Sequence, residues 1–360
     1  MSVDRRRFVV TSVCGFAALA GAARAQGLAT LGRDADGYRT VTPGRAFDFP
    51  ADHGPHPGYR IEWWYVTANL QGPDGTPYGL QWTLFRSALA PERGDAPSRG
   101  GGWGAPYLWL GHAAVTTPDA HYSAERFARG AVGQAGVDAA PFRAFIDEWS
   151  FEADGEDLRE ARLAAASDAF AYAVVLNAPR APVLQGADGY SVKSPEGQAS
   201  YYYSQPFFDL EGALTINGAR IPVTGAAWMD REWSSRLLSD TQTGWDWFSL
   251  HLKSGAKVMA FRLRDTAADD FLAGTWIDAD GTTAPLASDA LRLTPLRTVR
   301  VAGRRFPTRW RVEIPARGLD VTVAALNDDS FMETSVPYWE GPVRIDGAGG
   351  GVGYLEMTGY

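Results

Sequence analysis

Cysteine is almost missing from the 360 residues, and the single one, Cys14, falls within the first 25. A disulfide framework is therefore excluded, and stability has to come from the packed core. Histidine is scarce too, with five in the chain. Of these, only the His53-Gly54-Pro55-His56-Pro57 run has a spacing reminiscent of metal ligands, and its prolines make a stiff turn rather than a ligand face. There is no Gly-x-Ser-x-Gly elbow, no phosphate-binding loop and no dinucleotide fingerprint. No cofactor and no metal are expected. Long runs of one charge are absent as well, and the formal net charge is −8. That balance disfavours nucleic acid and anionic membranes as partners.

Only one extended apolar run occurs, Val9 to Ala23. It follows Arg5-Arg6-Arg7-Phe8-Val9, ends on Ala23-Arg24-Ala25, and is too short for a bilayer-spanning helix of about 20 residues. The pattern is that of a twin-arginine export signal over residues 1–25, with a small-x-small cleavage site. A mature chain starting near Gln26, with a periplasmic or secreted location and no membrane span, is the expectation. Removing that segment takes away four Arg and one Asp, leaving 30 basic against 41 acidic residues.

What the chain does hold is aromatic side chains and turn formers: 13 Trp, 14 Tyr, 17 Phe, 40 Gly and 22 Pro. Many short strands joined by tight turns fit this composition, so the fold class is all-β. Residues 26–58 read as a lead-in loop. Alternating segments then run over 60–70, 78–87, 109–116, 149–152, 158–164 and 169–176, with turns at Gly72-Pro73-Asp74-Gly75 and Asn217-Gly218. The Ala/Gly-rich stretch 123–144 is expected to hold a short helix. The order acid, two aromatics, hairpin, Phe-Arg occurs twice, from Glu62-Trp63-Trp64 to Phe85-Arg86 and from Asp246-Trp247-Phe248 to Phe261-Arg262. A length of 360 residues exceeds one ordinary core. Two like-built domains follow, over 59–235 and 236–360.

Three aromatic–acid clusters are the candidate chemistry. On a strand, Glu62 and Trp64 share one face and Trp63 and Tyr65 the other. Likewise Trp228, Asp230 and Glu232 oppose Met229, Arg231 and Trp233, and Asp246 opposes Trp245 and Trp247. An acid among indole rings has two readings. In one, apolar walls raise its pKa and make it a general acid, with ring faces steadying a carbocation. In the other, an Arg such as Arg231, Arg86 or Arg262 neutralises it inside the core.

The runs Pro57 to Tyr65, Trp228 to Ser235 and Gly244 to Phe248, with Glu340-Gly341-Pro342 and the close from Gly353 to Tyr360, resemble the carotenoid 1,2-hydratase and AttH-like family of secreted proteins. The resemblance implies two tandem lipocalin-like β-barrel or sandwich domains. It further implies a small apolar ligand, cofactor-free addition of water to an isoprenoid double bond in some members, and genes beside ABC transporters in others. The hydratase motif Asp-His-Glu-Trp reads Asp230-Arg231-Glu232-Trp233 here, and Arg cannot exchange a proton near neutral pH. The tyrosine expected close before Asp246 is also replaced.

Three functions are therefore carried forward. The chain is a binding protein for an isoprenoid or lipid-like ligand, a cofactor-free hydratase or cyclase, or a carbohydrate-acting protein using Asp230 and Glu232. The catalytic candidates are Asp246, Asp230, Glu232 and Trp233. Glu62, Trp63, Trp64, Tyr65, Arg231, Trp245 and Trp247 are the ligand-binding candidates.

Overall fold

The computed structural model describes residues 35–91, 106–130, 132–155 and 157–360. The expected export segment and the start of the lead-in lie outside them. Among the described residues there is no α-helix, only two single 3-10 turns, Ala51–His53 and Pro315–Arg317. Every other regular element is a strand, gathered into two barrel-like sheets.

The first sheet starts from a hairpin, Ile61–Gln71 with Pro77–Ala88, extended on one side by Tyr107–Thr116 and His121–Arg129. On the other side of Ile61–Gln71 come Ala219–Ser234, Ala199–Ile216, Phe170–Asn177 and Glu160–Ala166, then a run of short strands back to Ala135–Ala139. This sheet curls until Phe151 meets Trp82 and Ile146 sits over Gly111. The second sheet repeats the plan on a smaller scale. Its Gln242–Leu252 strand pairs with Lys257–Asp265 on one side and Gly351–Met357 on the other, followed by Tyr338–Gly347 and Leu319–Ala325. Both sheets are antiparallel throughout their main path, as short connections demand.

Alternation explains where the cores form. Trp64, Val66, Ala68 and Leu70 point into the first sheet's curl, with Trp82, Trp149 and Trp233. Phe248 and Leu250 point into the second, with Trp310 and Trp339. The intervening residues are buried as well, because the two sheets lie face to face: Ile61, Tyr65, Trp228, Trp247, Phe261 and Tyr354 form a third cluster along the seam.

The segment 123–144 differs from expectation. Instead of a helix it contributes the strands His121–Arg129, Ala135–Ala139 and Phe142–Ile146. Phe142, Ala144 and Ile146 alternate inwards, and Ile146 pairs with both Ala135 and Trp149. Pairing on both sides and a period-2 apolar face outweigh the helix preference of the alanines.

At Asn217-Gly218 the chain reverses in two residues, with Ile216 opposite Ala219 and φ of 49° and 82°. Both angles are positive, as a type I′ turn requires. Gly218 has open space around it, so a side chain there meets only backbone strain. Gly218→Val is expected to lower stability by about 1–2 kcal/mol, read from urea unfolding, with no change of fold.

Candidate functional site

Strand alternation sorts the candidate residues into three places. Trp63, Tyr65, Asp230, Glu232, Trp245 and Trp247 line a cleft at the seam between the sheets. Glu62, Trp64, Arg231 and Trp233 face the interior of the first sheet, and Asp246 the interior of the second.

The two interior acids are fully compensated. Glu62 is wholly buried and meets Arg231 at 2.5 Å and Arg86 at 3.0 Å, while the His56 backbone N–H donates to it at 2.9 Å. Burial alone would raise its pKa, but Arg231, His56 and Arg86 hold it at about 2. Arg231 lies over the Trp64 ring at 3.9 Å, and Trp233 stacks on His56 at 3.8 Å. Asp246 is held by Arg262 at 2.7 Å, by Arg264 at 2.8 Å and by the Tyr360 hydroxyl at 2.7 Å. His53 is bonded to Tyr203 at 2.6 Å and His56 to Asp52 at 3.0 Å. Among the described residues no group of three or more metal-ligating side chains converges.

The cleft is built differently. Its empty space is about 730 Å³, counting the solvent at its mouth, and its walls are mostly apolar: Ile61, Phe85, Leu237, Phe261 and Leu263 beside the Trp rings. Into it project Asp230, Glu232 and Glu356, with Lys193 as its one cation among the described residues. Lys193 is spent on Glu232 at 2.8 Å, and Ser200 donates to the same carboxylate. Among the described residues Asp230 has no cation partner; it accepts from Ser204 at 2.5 Å, Trp228 Nε1 at 2.7 Å and Tyr202 at 2.8 Å. Burial nevertheless pushes its pKa up to about 7. Glu356 accepts one bond, from Trp245 Nε1 at 2.6 Å, and is enclosed by protein while keeping part of its surface on the cleft. Burial and the neighbouring Asp230 and Glu232 carboxylates raise it to about 7.

Behind Glu356, directly across the strand pair, stands Glu340. It is wholly buried, takes a hydrogen bond from Tyr65, and has its second oxygen unpartnered. Burial and Glu356 push its pKa well above the usual carboxylate range. Two carboxyls opposite one another in a sheet cannot both be ionised cheaply, so at least one proton stays with the pair. Farther out, Tyr338 meets His112 at 2.9 Å and His112 meets Glu125 at 3.1 Å, leading towards the surface.

The doubled sequence pattern has a geometric counterpart. Glu62 pairs across the first hairpin with Arg86, and Trp63 with Phe85. Asp246 pairs across the second with Arg262, and Trp247 with Phe261. On the opposite flank Trp63 faces Glu232 and Trp247 faces Glu356. Each sheet thus offers the cleft a tryptophan beside a glutamate and keeps an acid–arginine pair inside. Glu356, Glu340, Tyr202 and Lys193 were not among the sequence candidates. The closing run Gly353 to Tyr360 held the signal for Glu356, an acid alternating with Leu355 and Met357 on an otherwise apolar strand.

Two stability measurements separate these environments. Asp246→Asn leaves two guanidinium groups facing a neutral amide and is expected to cost about 3 kcal/mol in urea unfolding. Asp230→Asn behaves otherwise. A raised carboxyl pKa favours the folded state below the unfolded value and loses that advantage as pH rises through about 7. Buried histidines titrate with the opposite sign, but they are common to both proteins and cancel in the difference. Between about pH 5 and pH 8 the stability of wild type relative to Asp230→Asn is expected to fall by roughly 2 kcal/mol.

The AttH-like family model matches residues 40–360. Among solved structures, the chain is similar to a protein assigned as AttH from Nitrosomonas europaea, at 34% identity and a TM-score of 0.77, over 89% of this chain and 99% of that one. It also shares its fold with kievitone hydratase from Nectria haematococca, at 16% identity and a TM-score of 0.66, over 91% and 98% of the two chains. CghA with Sch210972 matches in fold at 12% identity and a TM-score of 0.54, over 91% and 97%. No curated protein matches the chain.

Proposed function

The chain belongs to the AttH-like family, and from that premise we propose that its inter-sheet cleft takes up an apolar, isoprenoid-type molecule and protonates a carbon–carbon double bond in it. The observation that carries this reading is the pair Asp230 and Glu356, acids held near neutral pKa in an aromatic cleft with no cation partner among the described residues. The same chain neutralises Glu62 and Asp246 with arginines where only packing is at stake. A merely structural acid in the cleft would be expected to receive the same treatment.

Glu356 is the proton donor in this reading, because only one of its oxygens is engaged and it opens on the cleft. Asp230 is tied by three donors and tunes the field beside it. As the Glu356 proton passes to the alkene carbon, the adjacent carbon becomes cationic, facing the rings of Trp63, Trp245 and Trp247. Water then attacks that carbon and returns a proton to the Glu356 carboxylate, so the net change is addition of one water and no cofactor is consumed. The fold shared with a hydratase makes hydration the first reaction to try. The reading places the reaction in the exported compartment, on the strength of the pattern in residues 1–25. A sugar-acting role has less support, since Glu232 is bound to Lys193 and the walls are chiefly apolar.

The test is incubation of the purified chain with acyclic carotenoids and shorter terpenes in heavy-oxygen water. A mass gain is expected in one of them, reduced by roughly 10²-fold or more in Glu356→Gln while quenching of tryptophan fluorescence by the ligand persists. Ligand quenching with no mass gain, and no deuterium uptake in heavy water, would identify a carrier instead.

A further inference from the structure

Positive charge on this acidic chain is unevenly placed. Residues 292–312 contain seven arginines and no Asp or Glu, although no long unbroken run betrays it. They fold as a hairpin of Arg292–Val301 and Arg304–Ile314, and the first of these is the edge strand of the second sheet. Leu293, Phe306, Trp310 and Val312 alternate into the core, which turns the arginines to the outer face. Register sets Arg297 opposite Arg309 and Arg300 opposite Arg305. Like charges directly opposite destabilise a strand pair.

Local carboxylates relieve part of this. Arg297 pairs with Asp328, and Arg311 with Glu313 and Asp320. Among the described residues Arg292, Arg300 and Arg305 enter no ion pair, and all three are exposed. Where the register shifts, between Pro295 and Arg297, Leu296 turns outwards and is 50% exposed.

We propose that the outer face of this hairpin docks the protein on an anionic lipid bilayer. Phosphate headgroups supply the counter-charge that the facing arginines lack, and the guanidinium fork matches phosphate oxygens in pairs. From Arg292 to Arg300 the strand spans about 26 Å, an extended face suited to a surface rather than to a single ion. Leu296 adds an apolar contact at the headgroup boundary, in the manner of interfacial anchors. The aromatic rings of the hairpin, Phe306 and Trp310, are buried, so the face offers no stacking platform for unpaired bases. The sequence-level expectation that anionic membranes are poor partners rested on net charge and runs; pairing two strands creates the patch that neither measure registers.

The experiment is co-sedimentation of the full chain with vesicles of phosphatidylcholine alone or mixed with phosphatidylglycerol. Binding is expected only to the mixed vesicles, and it should weaken as salt shortens the Debye length. In the Arg300→Gln/Arg305→Gln variant, affinity is expected to drop at least about tenfold. Its urea midpoint should stay level or rise, because a repulsive pair is removed. The N-terminal arginines are the same in both proteins, so the difference reports the hairpin. Absence of phosphatidylglycerol-dependent binding, equal binding by the variant, or capture of duplex DNA in place of vesicles would each overturn the proposal.

Discussion

A carboxyl group removed from water must either meet a cation or keep its proton. The molecule applies the first solution inside each sheet and the second between them. Glu62 and Asp246 each sit between two arginines. Asp230, Glu340 and Glu356 sit along the seam with tyrosine, serine and indole donors, and the nearby Lys193 ammonium is taken by Glu232. Because a strand sends neighbouring side chains to opposite faces, residues one position apart, such as Asp230 and Arg231, end in these opposite electrostatic worlds. The seam is consequently the one place in the described structure where several acids gather around an open apolar cleft.

The two walls of that cleft are near-equivalents. Trp63 beside Glu232 answers Trp247 beside Glu356, and each tryptophan has a phenylalanine on its other flank. What breaks the equivalence is local. On the first wall Lys193 reaches over the Tyr202 and Phe261 rings to neutralise Glu232. On the second wall the residue across from Glu356 is another acid, Glu340, where the first wall has Tyr202 across from Glu232. One glutamate is thereby paired with an ammonium and the other is driven towards its neutral form. A repeated scaffold with two substitutions suffices to give matched side chains unlike chemistry.

Much of this was legible in the chain. Turn signals at Asn217-Gly218 and alternating runs give the strands and the all-β class, and the doubled acid–aromatic–Phe-Arg pattern anticipates two like hairpins. The resemblance carried the tandem lipocalin-like architecture. Alternation also separates Trp63 from Trp64 and Asp230 from Arg231 with no coordinates. It does not say that two sheets will face one another, which is why Glu62 and Asp246 looked equal to Asp230 although they lie in separate interiors. Glu340 and Glu356 are 110 and 126 residues from Asp230 in sequence and acquire meaning only through the seam. Local propensity misled at 123–144, where Ala-rich composition favours helix and long-range pairing decides otherwise.

The most direct measurement is a pH titration of side-chain carboxyl carbons by NMR on isotope-labelled protein, assigned with Asp230→Asn, Glu356→Gln and Glu62→Gln. The account predicts that Asp230 and Glu356 take up protons near neutral pH, while Glu62 remains ionised well below the ordinary range for glutamate. Titration of Asp230 and Glu356 near about pH 4, as for carboxyls in water, would contradict it, because the cleft would then hold ordinary solvated anions and no proton to give.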